Sequence, residues 1–443
     1  MTGISKCCRL ALGGLLLALS GCTASLAPQQ LEIADGVYWS AHYHSYLEAK
    51  DGLLTRYQYT PSQCWSADAG LLPRVFSSAY NPGQHEWVGA GRNTLVLRRL
   101  SDGIPVFFTR EPLLPAPCRQ PPEASASAVI DTLAEVLTQF QHGLSQTELL
   151  RWRYQAQRLD AQHNLTDTDK SVALYQLVRE VLVDSDDRHA FVLARELGAY
   201  YRVNPFTVGE AQRELSRQQW QQELQQSALY NDCEQALWWG LLSSGEYYLG
   251  VLRLHGFTSA QQGLQQVEVS YSEAGQRCLQ RALDKLASDL KKASQSLGKP
   301  PSLLIDLRFN EGGSLLLASQ LALSLQAQPL PFASINQHQL TEQRRPDLSR
   351  LYQGGRVLVS EITASAAEHL AQALRLRGFS LHGQTTRGAF SPTIVKSLPN
   401  GWIIGVSMYA PATLLDGHGQ ALPEGAGLVP DQELPATWVF PVR

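Results

Sequence analysis

Ser365 lies in Thr363-Ala364-Ser365-Ala366-Ala367-Glu368, a run of small residues between an apolar segment, Val357-Leu358-Val359, and an amphipathic pattern from His369 to Arg377. The pattern predicts a strand, a turn and a helix, with the serine at the turn. A hydroxyl placed there, with no bulky neighbour to shield it, meets the N–H groups and dipole of a helix N-terminus, which favour developing negative charge. That is the setting a nucleophilic serine needs. Ser365 and Glu368 also satisfy the Ser-x-x-Glu capping box of ordinary helices, so position alone leaves both readings open. A second stretch, Leu303-Leu304-Ile305-Asp306-Leu307-Arg308-Phe309-Asn310-Glu311-Gly312-Gly313, reads as an apolar strand ending in a glycine pair. Glycines at a strand end let backbone approach a ligand closely. Stabilising an oxyanion takes at least two donors, each worth roughly 3 kcal/mol, and the N–H groups of Gly312 or Gly313 and of Ala366 fit that need. A plain tight turn would use the same glycines.

Two further segments follow in order, Gly383-Gln384-Thr385-Thr386-Arg387-Gly388 and Gly427-Leu428-Val429-Pro430-Asp431. Together the four resemble the S41 serine peptidases, whose motifs run Asp-Leu-Arg-x-Asn-x-Gly-Gly, Thr-Ala-Ser-Ala-Ala-Glu, Gly-x-x-Thr-x-Gly and Gly-x-x-Pro-Asp. Each motif is weak alone; the ordered set is specific. The resemblance is strongest from about Leu241 to Asp431, weaker back to about Val129, and absent before that. It implies an α/β core of the ClpP/crotonase-like kind and hydrolysis of peptide bonds in protein or peptide substrates through an acyl-enzyme. No metal or cofactor is implied. A catalytically inactive module of the same fold, binding an apolar ligand or an envelope protein partner, remains the alternative, because fold does not dictate function.

A serine hydroxyl needs an adjacent base, and imidazole suits neutral pH best. The S41 branch without a PDZ module carries its general base in an Asp-x-His segment after a helical region, and Asp187-Arg188-His189 matches that segment residue by residue. His255, His369, His382 and His418 compete as surface or core histidines. Other S41 enzymes use a lysine after Gly-x-x-Thr-x-Gly, but here the chain reads Arg387-Gly388-Ala389-Phe390, and an arginine is effectively never deprotonated. Lys396 falls on a later strand, outside the motif. Glu424, ahead of the Gly-x-x-Pro-Asp ending, matches the glutamate that orients the histidine in tricorn-like members. Those members interpose a second serine beside the histidine, whereas Arg188 precedes His189 here, which leaves the bridging hydroxyl open, Ser185 included.

The 443 residues are 44% hydrophobic and 17% charged with a net charge of −3, an ordinary globular composition with no basic block, which argues against a nucleic-acid partner. At the start, Lys6 and Arg9 flank an apolar core, Leu10 to Leu19, too short for a mature membrane span. Leu19-Ser20-Gly21-Cys22 looks like a bacterial lipobox, implying a lipid anchor on Cys22, and Thr23 carries no inner-membrane retention signal. The expected location is the periplasmic face of the outer membrane. Ordinary secretory cleavage near Ala24 to Ala27 is the alternative. Of the remaining cysteines, proximity in sequence favours disulfides between Cys64 and Cys118 and between Cys233 and Cys278. No cysteine spacing resembles a zinc site.

Four parts must position these residues: a signal segment over 1–21, a β-rich region with a Pro-rich linker over 22–120, a helical subdomain over 121–235, and the α/β core over 236–443. The β-rich reading rests on segments such as Val37-Tyr38-Trp39 and Val106 to Thr109, with turns expected at Asn81-Pro82-Gly83 and Ser101-Asp102-Gly103. Helices are expected where Ile130, Leu133, Leu137 and Phe140, then Leu174, Leu177, Val178 and Val181, then Leu279, Leu283, Leu286 and Leu290, each form one face. Strands are expected over Leu249 to Leu254 and Trp402 to Tyr409.

Overall fold

The structure, a computed structural model, describes residues 33–435 apart from 72–74, 79–80, 92, 100–104, 121, 141–144, 204–208, 256–258, 263–264, 269–272, 326–344 and 409–421. The signal segment, Cys22, His418 and the Ser101-Asp102-Gly103 turn lie outside the described residues.

Alternating apolar residues in the N-terminal region build an antiparallel sheet. Its strands are β1 (Gly36–Ser40), β2 (Ser45–Lys50), β3 (Leu53–Tyr59), β4 (Cys64–Leu71), β5 (Val75–Ser78), β6 (Asn81–Ala90), β7 (Thr94–Arg99) and β8 (Pro105–Glu111). They lie in the order β4-β3-β2-β1-β8-β7-β6-β5. With side chains alternating between faces, Tyr38, Leu47, Ala49, Leu95, Leu97, Val106 and Phe108 gather on one face and form its core. Asn81-Pro82-Gly83 opens β6 instead of turning, because Asn81 already pairs with Ser78 across the hairpin. A disulfide joins Cys64 on β4 to Cys118 in the short 3₁₀ turn Ala116–Arg119.

Three helices follow, Ala126–Phe140, Gln146–Asp160 and Asp167–Asp184. The Asp160 carboxylate accepts the first N–H groups of the first helix, from Ala126 at 2.8 Å and Ser127 at 2.9 Å, while the Thr166 side chain caps the third. Ile130, Leu133 and Leu137 pack with Leu174, Val178 and Val181 as the 3.6-residue periodicity requires. The hairpin β9 (Phe191–Ala194) and β10 (Ala199–Arg202) comes next, then the helix Glu210–Gln226.

The remaining chain alternates strands and helices. A seven-stranded sheet combines β11 (Tyr230–Asp232), β12 (Leu237–Leu241), β13 (Tyr247–Val251), β16 (Leu303–Asp306), β17 (Gly355–Val359), β18 (Ser380–Gly383) and β21 (Gln432–Glu433) in that order; β14 (Ser259–Gln262) and β15 (Gln265–Glu268) form a separate hairpin. Pairing is parallel from β13 to β21, and the helices Glu273–Leu297, Leu315–Ser324 and Ala366–Leu376 lie between those strands in sequence, as parallel strands require. This is the expected α/β core. A second disulfide, Cys233 to Cys278, ties the turn before β12 to the helix Glu273–Leu297.

One sheet crosses the division expected at residue 235: β19 (Thr393–Ser397) and β20 (Ile403–Ser407) join the hairpin in the order β10-β9-β20-β19. Ile394, Trp402, Ile404 and Val406 are thereby buried with the three helices rather than with the parallel sheet. The N-terminal sheet docks on the same layer. Lys396, fully buried on β19, donates to the carbonyls of Tyr43 and His44 and to Ser45 Oγ, and Trp65 Nε1 donates to Ser397 Oγ at 3.0 Å. Burial pushes the Lys396 ammonium well below its usual range, and burial together with Lys396 lowers His44 to about 4.

A bond closing a 54-residue separation contributes roughly 4 kcal/mol by restricting the unfolded chain. Cys64→Ser should therefore lower the calorimetric unfolding temperature of the N-terminal sheet; an unchanged thermogram would show that the bond does not form.

Candidate active site

Local backbone strain marks the Ser365 turn. Ser365 has φ 56° and ψ −127°, a conformation that costs an L-residue on the order of 1–3 kcal/mol and persists only where surrounding contacts enforce it. Those contacts are on both sides. Ser365 N–H donates to Ala389 O at 2.7 Å and to Glu368 Oε2 at 3.0 Å. Ala364 N–H donates to Asn310 O at 3.1 Å, and Thr363 Oγ1 donates to Leu307 O at 2.9 Å. Glu368 thus makes the carboxylate half of the capping box, and the helix takes no cap bond from the Ser365 hydroxyl.

Gly312 lies directly against this turn, and Gly313 lies against Leu254. A Cβ on Gly312 would fall 2.6 Å from Ser365 Cβ and 3.0 Å from Ala366 N, and both glycines have positive φ, so only glycine fits. Asn310 shapes the bend: its Nδ2 donates to Val251 O at 2.9 Å, and its Oδ1 accepts the Gly312 N–H at 2.8 Å. The Gly312 N–H is therefore engaged within the protein. Asp306 holds the strand end from beneath, accepting Arg308 Nε at 3.0 Å, Arg308 Nη2 at 2.7 Å and Tyr248 Oη at 3.1 Å, all buried.

The Glu368 carboxylate, fully buried, binds two motifs together. Besides Ser365 N–H it accepts Thr386 Oγ1 at 2.5 Å, Gly388 N–H at 2.8 Å and Ala389 N–H at 3.0 Å. Burial pushes this carboxyl up, and the four hydrogen bonds pull against it. Thr386 in turn exchanges hydrogen bonds with Leu428, and Asp431 accepts Leu381 N–H at 2.7 Å and pairs with Arg375. The Gly-x-x-Thr-x-Gly and Gly-x-x-Pro-Asp segments are thus the back wall of the serine turn.

His189 reaches the same wall from the other sheet. The third helix ends at Asp184, where Ser185 Oγ donates to Leu182 O at 2.8 Å; that hydroxyl serves the helix end and does not bridge to Glu424. Asp186 turns the chain with φ 51°, and His189 follows, 8% exposed. Its Nδ1 lies 3.5 Å from Glu424 Oε1 and 3.3 Å from Ser407 Oγ. Glu424 also accepts Phe390 N–H at 3.2 Å, Ser391 N–H at 3.1 Å and Ser391 Oγ at 2.6 Å. The Ala389-Phe390-Ser391 segment thereby connects Ser365 to the carboxylate beside His189. Asp187 belongs to the Asp187-Arg188-His189 segment read from the sequence, whereas Ser407 carries no sequence signal of its own. Asp187 accepts Ser407 Oγ at 2.8 Å, Ser407 N–H at 2.6 Å and His189 N–H at 2.9 Å.

With this geometry in view, comparison with known proteins finds a family match over part of the chain. Residues 249–434 match Peptidase family S41. No curated protein matches the chain. Solved structures that resemble it include a lipoprotein from Streptococcus agalactiae, at 13% identity and TM-score 0.40 over 73% of this chain and 94% of that one. Another is the photosystem II D1 C-terminal processing protease, at 13% identity and TM-score 0.36 over 70% of this chain and 93% of that one. Overlaps this loose carry no argument about the site. His189 and its loop precede the S41 segment, so the family match covers Ser365, both glycines and Glu424 but not the histidine.

The other candidates sit apart from the role of base. His369, on the helix of Ser365, is fully buried with Nε2 2.9 Å from Phe390 O, and burial lowers its pKa. His382 lies 2.8 Å from Ser380 Oγ, and His255 is exposed. Lys396 faces the N-terminal sheet. Asp187, His189 and Glu424 offer ligand atoms within 4.8 Å of one another. Their carboxylate oxygens already accept N–H and O–H donors, a network suited to orienting an imidazole rather than to coordinating a cation. Arg387 is buried within the S41 segment, and burial lowers it to about 10, leaving it cationic at neutral pH.

Arg387 joins Arg202 and Arg217 around Glu311, the residue before Gly312, with Arg217 Nη2 at 2.8 Å and Arg202 Nη1 at 3.1 Å. Burial pushes Glu311 up, but Arg387, Arg217 and Arg202 outweigh it and hold the carboxyl at about 2. A depressed carboxyl adds stability above its unfolded value of 4.5, and that stability is lost as pH falls toward about 2. The unfolding temperature of the wild type should fall more steeply than that of Glu311→Gln between those pH values. Parallel curves would remove the network from the stability of the site. Glu368→Gln presents an amide NH2 to buried donors; with each unmet donor costing about 1–3 kcal/mol, denaturant unfolding should show a loss of at least about 2 kcal/mol. A loss below half of that would mean the buried carboxylate does not hold the turn.

Proposed function

We propose that this protein is a serine peptidase acting on protein or peptide substrates, with Ser365 as nucleophile and His189 as general base. The observation that carries the reading is the continuous connection from Ser365 N–H through Ala389, Phe390 and Ser391 to Glu424, whose carboxylate lies 3.5 Å from His189 Nδ1. In the first step Ser365 Oγ attacks the scissile carbonyl while His189 Nε2 takes the hydroxyl proton. The new imidazolium is stabilised by Glu424 on its Nδ1 side. The tetrahedral oxyanion is received by the N–H groups of Gly313 and Ala366, while Gly312, its own N–H spent on Asn310, supplies the close approach. His189 then returns the proton to the leaving amine, and water repeats the sequence on the acyl-enzyme.

The cell envelope is the proposed setting, with a lipid anchor on Cys22 and the enzyme on the periplasmic face of the outer membrane. Support comes from Leu19-Ser20-Gly21-Cys22 and from the two disulfides, which suit an oxidising compartment. Among the described residues no helix is long and apolar enough to cross a membrane.

A fluorophosphonate probe should label the wild type and not Ser365→Ala. His189→Ala should slow labelling by about a thousandfold or more. A wild type left unlabelled, under conditions that label a known serine hydrolase, would overturn the assignment.

A further inference from the structure

We propose that Ser407 and Asp187 are the positioning pair for the general base, holding the His189 ring with its proton on Nδ1. The inference rests on the reading of His189 as base. Ser407 Oγ lies 3.3 Å from His189 Nδ1 and donates its own proton to Asp187 Oδ1 at 2.8 Å. A hydroxyl committed as donor has only lone pairs left to offer the ring, so Nδ1 must carry the hydrogen. Nε2 is then the unprotonated nitrogen that a base requires. No proton travels along the chain; the bonds orient the ring, and the Asp187 charge favours the imidazolium formed when Nε2 is protonated.

Strand register explains how distant residues meet. β20 pairs antiparallel with β9 as Ile403 with Leu193, Ile404 with Val192 and Gly405 with Phe191. Carried two residues further, the same register sets Ser407 opposite His189. Gly405 permits the approach, since a Cβ there would lie 2.0 Å from the Phe191 ring. Asp187 then locks the end of the ladder by accepting both backbone N–H groups, that of Ser407 at 2.6 Å and that of His189 at 2.9 Å. All three residues are more than nine-tenths buried. Water therefore competes little for these bonds.

Glu424 approaches the same nitrogen, but at 3.5 Å and with its oxygens already accepting from Phe390 and Ser391. A single Nδ1–H has one best acceptor, and the nearer, donor-committed hydroxyl is it. Glu424 accordingly contributes charge and fastens the 389–391 segment, while Ser407 and Asp187 fix the tautomer and ring angle.

The test uses full-length protein carrying ¹⁵N-labelled histidine, in the Ser365→Ala background so that the result does not depend on catalysis. Ring ¹⁵N shifts of His189 should report the Nδ1–H tautomer, and Ser407→Ala should shift that population while Ser407→Thr restores it. In the Ser365 protein, Ser407→Ala should slow fluorophosphonate labelling on the order of 10- to 100-fold, again with rescue by threonine. An Nε2–H tautomer in the parent protein overturns the proposal, as does a Ser407→Ala chain with unchanged tautomer and labelling rate. Should Ser365 resist labelling altogether, the peptidase reading fails, and the tautomer alone decides the role of Ser407 and Asp187.

Discussion

A single buried carboxylate holds the site in shape. Glu368 has no solvent to share its charge, so its stability depends on the four donors around it, from Ser365, Thr386, Gly388 and Ala389. Burying a charge is unfavourable unless every lone pair is met, and that requirement makes the arrangement all-or-none. The strained Ser365 backbone gains its enforcement from the same bonds. Capping box and strained serine turn are therefore not competing descriptions of this stretch: the carboxylate half of the cap is what fixes the serine.

Around that anchor the site is assembled from two sheets. Ser365, the glycine pair and Asn310 come from the parallel sheet, at the ends of β16 and β17. His189, Asp187 and Ser407 come from the antiparallel sheet that shares its core with the three helices. Among the described residues, the 387–391 segment, Glu424 and the Arg202–Glu311 ion pair link the two. The helical layer is thus tied to the Ser365 turn through these links, and the Lys396 clamp brings the N-terminal sheet onto that layer.

The anionic and cationic groups near the serine have distinct duties. Glu311 neutralises arginines from β10, from the helix Glu210–Gln226 and from the Gly-x-x-Thr-x-Gly segment, joining three elements beside Gly312. Asp306 performs a similar task for Arg308 and Tyr248 below the strand end.

What the amino-acid order determined by itself was local. The strand and helix flanking Ser365, the glycine bend after Asn310, the helical faces at Ile130 and Leu174 and the β-rich start all follow from periodicity and turn chemistry over a few residues. The nearness of His189 to Glu424 was inferred from motif resemblance, not from periodicity. Only the tertiary structure decided which hydroxyl faces the imidazole: Ser407 lies 218 residues from His189 in the chain and meets it through the register of β9 and β20. It also decided that the Gly312 N–H is consumed by Asn310 while Gly312 itself abuts Ser365 and Ala366. Hydrogen-bond partners across such separations depend on how whole strands align, and no window of sequence carries that alignment.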